Sequence, residues 1–307
     1  MATRNKPIKK VCWFFFSLLF GLTLFFLINL LYSWDKKNKI TIVTSIYPLY
    51  DFCQAIASNF FEIKLLLPSG VSPHHWQPRF SDLIQLEKAS ALIYIGPNLE
   101  PWIADLVKTL KNKNLKLISF EDLCFLVEEN NQFDPHIWLD FQLDLEIINR
   151  LTQFFSKLAP EVSKEIELKA SQYKEKLREI DFFYQKTLSE CRQRTIIIDG
   201  HEAFNYLARR YELKVVSLHG LNPEADLRSS QVRKLIELIE KEKIKAIFYE
   251  AGRKPRLATM LKDKIGAKVL PLYPGHSPAY DNLKKRKSFL ELMMENLKNL
   301  KEGLECE

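Results

Sequence analysis

Apolar and polar positions along this chain follow two periods. Short aliphatic and β-branched runs of four or five residues fall at 40–44, 63–67, 91–95 and 115–119, and again at 195–198, 214–217, 246–249 and 268–272. Runs of this length read as buried strands. Between them, apolar residues spaced three and four apart predict helices over 49–58, 81–88 and 101–111, then over 203–211, 229–241, 256–265 and 284–300. Ser81 is the expected N-cap of the second of these helices. Strands alternating with helices make parallel sheets covered on both faces. The expected fold class is therefore α/β, with the alternation present twice.

The two halves are separated by a stretch of different character. From Asp144 to about Arg192, Leu, Ile, Phe and Tyr recur at helical spacing among Lys and Glu. Pro160 suits the first turn of a new helix, and no Gly or Pro follows it before Arg192. A helix of about thirty residues spans roughly 45 Å at 1.5 Å per residue. The division this predicts is a leader over 1–35, a first lobe over 36–155, a connecting helix over 156–193 and a second lobe over 194–307.

The leader is the one segment that departs from globular patterning. Residues 11–34 carry no charge and are dominated by Phe and Leu, and Arg4, Lys6, Lys9 and Lys10 precede them. This is the pattern of a secretory signal or signal anchor, with its positive flank on the cytoplasmic side. No Cys follows the apolar run directly, so a lipoprotein-type anchor is unsupported, and cleavage is left open. The expected location is the periplasm or the extracytoplasmic face of a membrane.

Charge adds little once the leader is set aside. The 307 residues carry a formal +7, which falls to +3 without the four N-terminal cations. That is no nucleic-acid footprint, and the 284–287 basic run reads as a solvated helix start. Cys53, Cys124, Cys191 and Cys306 lie outside the leader and form no Cys-x-x-Cys pair. An exported protein is compatible with a disulfide, but spacing alone assigns none, and cysteine ligation is the weaker reading.

The candidate chemistry lies in histidines. His74 sits in Ser72-Pro73-His74-His75-Trp76, His136 in Asp134-Pro135-His136-Ile137-Trp138-Leu139, and His201 in Asp199-Gly200-His201-Glu202. Pro135 stiffens the backbone that presents His136. The three are 62 and 65 residues apart, so only a tertiary fold can join them. Each follows a predicted strand, at the sheet end where open α/β folds place ligands. Taken singly, a histidine is more often structural than ligating; the joint placement points to a metal. Three imidazoles and an oxygen donor suit zinc, and fit manganese or iron less selectively. Trp76 and Trp138 could wall such a site or simply fill the core. Glu250 could orient a ligand or pair with Arg253 or Arg256, and Glu202 stands beside His201.

These motifs, with Ser45-Ile46-Tyr47-Pro48-Leu49, Gly70-Val71 and Gln77-Pro78 around His74, Gly200-His201-Glu202-Ala203-Phe204-Asn205-Tyr206-Leu207-Ala208, Ile247-Phe248-Tyr249-Glu250 and Gly266-Ala267-Lys268-Val269, cover about residues 40–300. The chain resembles the metal-binding solute-binding proteins of ABC importers for zinc and manganese, the cluster A-I family. The resemblance implies two α/β lobes bridged by one long helix, with a metal between them that passes to a membrane permease driven by an ATPase. It selects His74 over His75 as ligand. The chain is expected to act as a monomer, with no nucleic-acid partner.

Two departures from the family stand out. A ligating Asp usually follows the last strand of the second lobe, where this chain has Leu272-Tyr273-Pro274-Gly275-His276. The fourth ligand is then Tyr273, His276 or a water; a phenolate would favour ferric iron and an imidazole zinc. Zinc-devoted members often carry a His-rich acidic loop, whereas 121–133 here is acidic, short and free of His. The expectation is binding rather than catalysis. A zinc hydrolase would use Glu202 or Glu250 as base, but no His-Glu-x-x-His helix exists. A surface adhesion or interaction module on the same fold is the remaining alternative.

Overall fold

A computed structural model describes residues 39–126, 133–217, 229–279 and 286–307. The leader, residues 127–132 of the acidic stretch and residues 284–285 of the basic run lie outside the described residues. The β-branched runs pair in parallel. β1 (Ile40–Thr44), β2 (Phe61–Leu65), β3 (Ala91–Tyr94) and β4 (Lys116–Ser119) form one sheet in the order β2-β1-β3-β4. β5 (Thr195–Asp199), β6 (Lys214–Ser217), β7 (Ala246–Glu250) and β8 (Lys268–Leu272) form a second in the order β6-β5-β7-β8. Both sheets share one winding, so their carboxyl ends offer equivalent crevices. β5 shows why such strands read as continuous apolar runs: Ile196 and Ile198 face the main core, and Ile197 faces a smaller one with Leu235, Ile239 and Leu261.

Helices return the chain between strands: α1 (Tyr47–Ala57), α2 (Phe80–Glu87) and α3 (Ile103–Thr109) in the first half, α4 (Phe141–Leu158) and α5 (Ser163–Ser189) between halves. α6 (Asn205–Arg210), α7 (Ser229–Glu242), α8 (Arg256–Ile265) and α9 (Phe289–Gly303) serve the second half. Two starts differ from expectation. Ser81 lies inside the first turn of α2; the Asp82 carboxylate instead accepts the Arg79 backbone N–H at 2.6 Å. α9 begins at Phe289 rather than 284 because Ser288 and Glu291 form a capping box, the serine oxygen accepting from Glu291 N and the Glu291 carboxylate from Ser288 N.

The connector is a helical hairpin. α4 and α5 run antiparallel, tied by Gln142 to Asp181 and by Lys174 to Asn149. In α5 the residues Ile166, Ala170, Tyr173, Leu177, Ile180, Tyr184 and Leu188 make one buried stripe over 27 residues, about 40 Å. Polar bonds fix it to both halves. Tyr173 donates to Asp51 on α1 at 2.9 Å. Asp181 accepts from Arg210 Nε at 2.8 Å and from the Tyr211 hydroxyl at 2.7 Å, at the end of α6. Tyr184 donates to the Met293 carbonyl on α9. Cys191, just past α5, forms a disulfide with Cys306, just past α9; Cys53 and Cys124 are buried thiols.

Two stability measurements follow from this packing. A crosslink closing a 115-residue separation removes roughly 4–5 kcal/mol of chain entropy from the unfolded state, so reduction, or the Cys191→Ser/Cys306→Ser pair, should lower the urea midpoint accordingly. Asp144 in α4 is fully buried with neither carboxylate oxygen hydrogen-bonded. Burial, then the charge of Asp140, holds its carboxyl well above the ordinary range. Unfolded, it ionises at about pH 3.9; above that pH the folded state binds more protons, so this group's contribution falls as pH rises towards its folded pKa. Asp144→Leu should therefore raise the melting temperature at pH 8, with the gain shrinking towards pH 4. An equal gain at both pH values would contradict the assignment.

Candidate metal centre

Three loops at the carboxyl ends of the two sheets carry the centre, and each is held by its own sequence. The loop after β2 presents His74; the Trp102 indole donates to the Pro73 carbonyl at 3.0 Å, and Trp76 packs edge-on against that indole. The segment after β4 presents His136. Asp134 Oδ1 accepts both the His136 backbone N–H, at 2.9 Å, and its ring Nδ1–H, at 2.7 Å. A 3-10 turn, Ile137–Leu139, follows and buries Trp138, whose indole meets the His136 ring edge-on and donates to the Pro274 carbonyl at 2.7 Å. His201 leaves β5 after Gly200. A Cβ at Gly200 would lie 2.9 Å from the Glu250 Cβ, so only glycine lets the end of β5 approach the end of β7. That approach places Glu250 Oε2 2.8 Å from His201 Nδ1.

The result is a convergence of Nε2 atoms. His136 Nε2 lies 3.4 Å from His74 Nε2 and 3.2 Å from His201 Nε2. One ligand atom from each of the three lies within 4.8 Å of the others. A tetrahedral zinc with bonds of about 2.0–2.1 Å has nitrogen–nitrogen edges of about 3.3–3.4 Å. Asp134 and Glu250 fix the protons of His136 and His201 on Nδ1, so the facing Nε2 atoms present lone pairs to each other. Two lone pairs at 3.2 Å repel unless a cation lies between them.

Burial sets the electrostatics. It pushes His74 down to about 2, aided by His136, His201 and His276, and holds His136 well below the ordinary imidazole range. His276 falls to about 3, again chiefly through burial. These imidazoles stay neutral, the form that binds metals. Asp134 is pushed up to about 7 by burial, against the His136 backbone N–H. Burial acts to raise Glu250, but His201, His276 and Arg253 together draw it down to about 2.

The remaining candidates are placed variously. His75 is exposed, its ring centroid 6.4 Å from that of His74, and it contributes no atom to the cluster. Tyr273 donates its hydroxyl to Glu295 at 3.2 Å, with the Lys287 ammonium over its ring. His276 is buried, its ring centroid 6.0 Å from that of His201. Glu202 is half-buried and contributes no atom to the cluster. Arg253 lies 3.9 Å from Glu250, so the carboxylate faces both an imidazole and a guanidinium. Sequence reasoning gave Asp134 no role; its position two residues before His136, across a proline, was the available signal.

Two parallel sheets joined by a long helix, with a histidine cluster at their facing ends, define a metal-site solute-binding fold. The profile of the family described as ZnuA, zinc-uptake complex component A, periplasmic, matches residues 42–303, and the chain belongs to that family. The zinc-binding lipoprotein AdcA of Streptococcus pneumoniae (strain ATCC BAA-255 / R6) is 30% identical over 305 residues, covering 94% of this chain and 61% of AdcA. The chain thus spans about three fifths of the AdcA relatives it matches. The high-affinity zinc uptake system protein ZnuA of Bacillus subtilis (strain 168) is 27% identical over 285 residues, 88% of this chain and 89% of that protein. The crystal structure of the Zn(II)-bound ZnuA-like domain of S. pneumoniae AdcA superposes with a TM-score of 0.76 at 31% identity, covering 87% of this chain and 99% of that domain.

Removing the acceptor of an imidazole Nδ1–H typically weakens metal binding by about 10–100-fold. Glu250→Ala should do so for zinc, read by competition with a chromogenic chelator. An unchanged affinity would mean that Glu250 does not orient His201.

Proposed function

We propose that this chain binds a divalent first-row metal ion, zinc foremost, through His74, His136 and His201 on the outer side of a membrane, and delivers it to the permease of an ABC importer. The metal is cargo. The observation that carries this is the 3.2 Å approach of two Nε2 atoms whose Nδ1 protons are already committed to carboxylates. Family membership and the zinc-binding names of the relatives support zinc over manganese and iron. Donor chemistry agrees, since imidazole suits zinc whereas manganese favours carboxylate and water oxygens.

Residues 36–155 and 194–307 act as two lobes, with 156–193 as their connection. A connector bonded to both lobes limits their relative movement, so release depends on docking to the permease. The cation-flanked apolar stretch before residue 35 supports export, as do the family's description as periplasmic and the naming of AdcA as a lipoprotein. Among the described residues no helix is long and apolar enough to cross a membrane. One copy of the chain suffices for the site, since all three histidines are its own.

Binding to the folded state alone stabilises it by RT ln(1 + [L]/Kd), about 4 kcal/mol at a thousandfold excess over Kd. The domain lacking residues 1–35 should melt several degrees higher with zinc, and His136→Ala should abolish the shift. A wild-type melting curve unmoved by zinc, cobalt or manganese would end this reading.

A further inference from the structure

Between the two halves lies a cavity of about 510 Å³, with Ser69, Gly70 and Ser72 on one wall and the 250–253 and 273–279 segments on the other. That volume is in the range of small-molecule sites. Its rim is exposed at Gly70 and Arg253, and its floor is buried at Glu250 and His276. None of His74, His136 and His201 lines it. Two polar atoms of its lining residues, Ser72 Oγ and His276 Nδ1, are buried without a hydrogen-bond partner. His276 is 7% exposed as a whole. Buried polar groups normally have partners, and two left bare in the lining of one cavity point to a ligand.

Two opposite charges line the same space. Arg253 Nη1 lies 3.9 Å from Glu250 Oε2, beyond hydrogen-bond reach, and among the described residues its guanidinium has no closer acceptor. Glu250 Oε2 is taken by His201 Nδ1–H, which leaves Oε1 uncommitted among the described residues. A simple anion drawn to Arg253 would meet the charge of Glu250, and a simple cation drawn to Glu250 would meet that of Arg253. A zwitterion satisfies both.

In an α-amino acid a single carbon joins the ammonium to the carboxylate, so its charges are close enough to pair with two groups this near each other. The guanidinium fork suits the carboxylate, and Glu250 Oε1 suits the ammonium. Ser72 Oγ and His276 Nδ1 can each donate or accept a further hydrogen bond. Tyr273, Pro278 and Ala279 give the cavity an apolar wall for a side chain. Glu250 Oε2 stays with His201 throughout.

We propose that this cavity is a second binding site, separate from the three-histidine group, and that its ligand is a free α-amino acid held as a zwitterion between Arg253 and Glu250. The site goes beyond the metal-binding reading and stands without it. The test is calorimetric titration of the metal-free domain lacking residues 1–35 with the common L-amino acids, then with the N-acetyl and methyl-ester forms of the one that binds best. The expected result is one amino acid bound per chain, with affinity lowered at least about tenfold by blocking either charge or by Arg253→Gln. Arg253→Lys, which keeps the charge without the fork, should lose less than Arg253→Gln. The blocked ligands are read on the wild type, so the outcome does not hang on a variant's folding. No binding of any L-amino acid at millimolar concentration would overturn the proposal. So would binding that the blocked forms leave unchanged, or acetate binding as tightly as the amino acid. A domain that binds an amino acid but no zinc would keep this site and end the metal reading; the reverse result would end this proposal alone.

Discussion

Two carboxylate–imidazole hydrogen bonds decide what the centre is. Asp134 and Glu250 each take an Nδ1 proton, and so dictate that His136 and His201 show lone pairs to the space between them. Without those partners the same imidazoles could share a proton and form an ordinary buried histidine pair. With them, the 3.2 Å approach is repulsive until a cation arrives. The local sequence serves this arrangement closely. Pro135 confines the turn in which Asp134 Oδ1 reaches the His136 backbone and ring together, and Gly200 leaves space for the Glu250 side chain.

Holding imidazoles from two sheets within a few tenths of an ångström of a metal's preferred spacing demands that the sheets themselves be fixed. α5 meets that demand with one face bonded to α1 through Asp51 and to the end of α6 through Asp181. Hydrogen bonds also cross directly between the halves, among them Trp138 to Pro274, Tyr47 to His276, Gly70 to Ser277, Ser69 to Pro278 and the Phe125 backbone N–H to the Tyr206 hydroxyl. Each is worth about 0.5–1.5 kcal/mol net. Together they hold the histidine-bearing ends of the two sheets against each other.

Much of the fold was legible because parallel strands buried on both faces and amphipathic helices carry their periods openly. β8 and α8 coincide with the expected ranges, and the two sheets and the long helix match the expected class. Boundaries were less legible where side chains rather than periodicity set them. Asp82 moved the start of α2, and the Ser288–Glu291 capping box set that of α9, although its Ser-x-x-Glu spacing was readable. The Cys191–Cys306 pairing was not readable, because nothing local joins residues brought together by the ends of α5 and α9. At the site, sequence could name three histidines following strands, but not which nitrogen each would present. That depends on Asp134 and Glu250, one reached through a turn and the other through a neighbouring strand.

The partition of these groups between the halves bears on release. His74, His136 and Asp134 hang from the first sheet, and His201, Glu250 and His276 from the second. Each carboxylate therefore belongs to the same half as the imidazole it holds. Separating the sheets would divide the imidazoles between the halves without breaking either carboxylate–imidazole bond. The ion would lose ligands from one side at once, while both halves kept their tautomers and ring orientations. Were the halves to open, that orientation would survive, and closing around an ion would need only the cross-cleft hydrogen bonds to re-form. The reorganisation that would otherwise slow capture is already complete within each half.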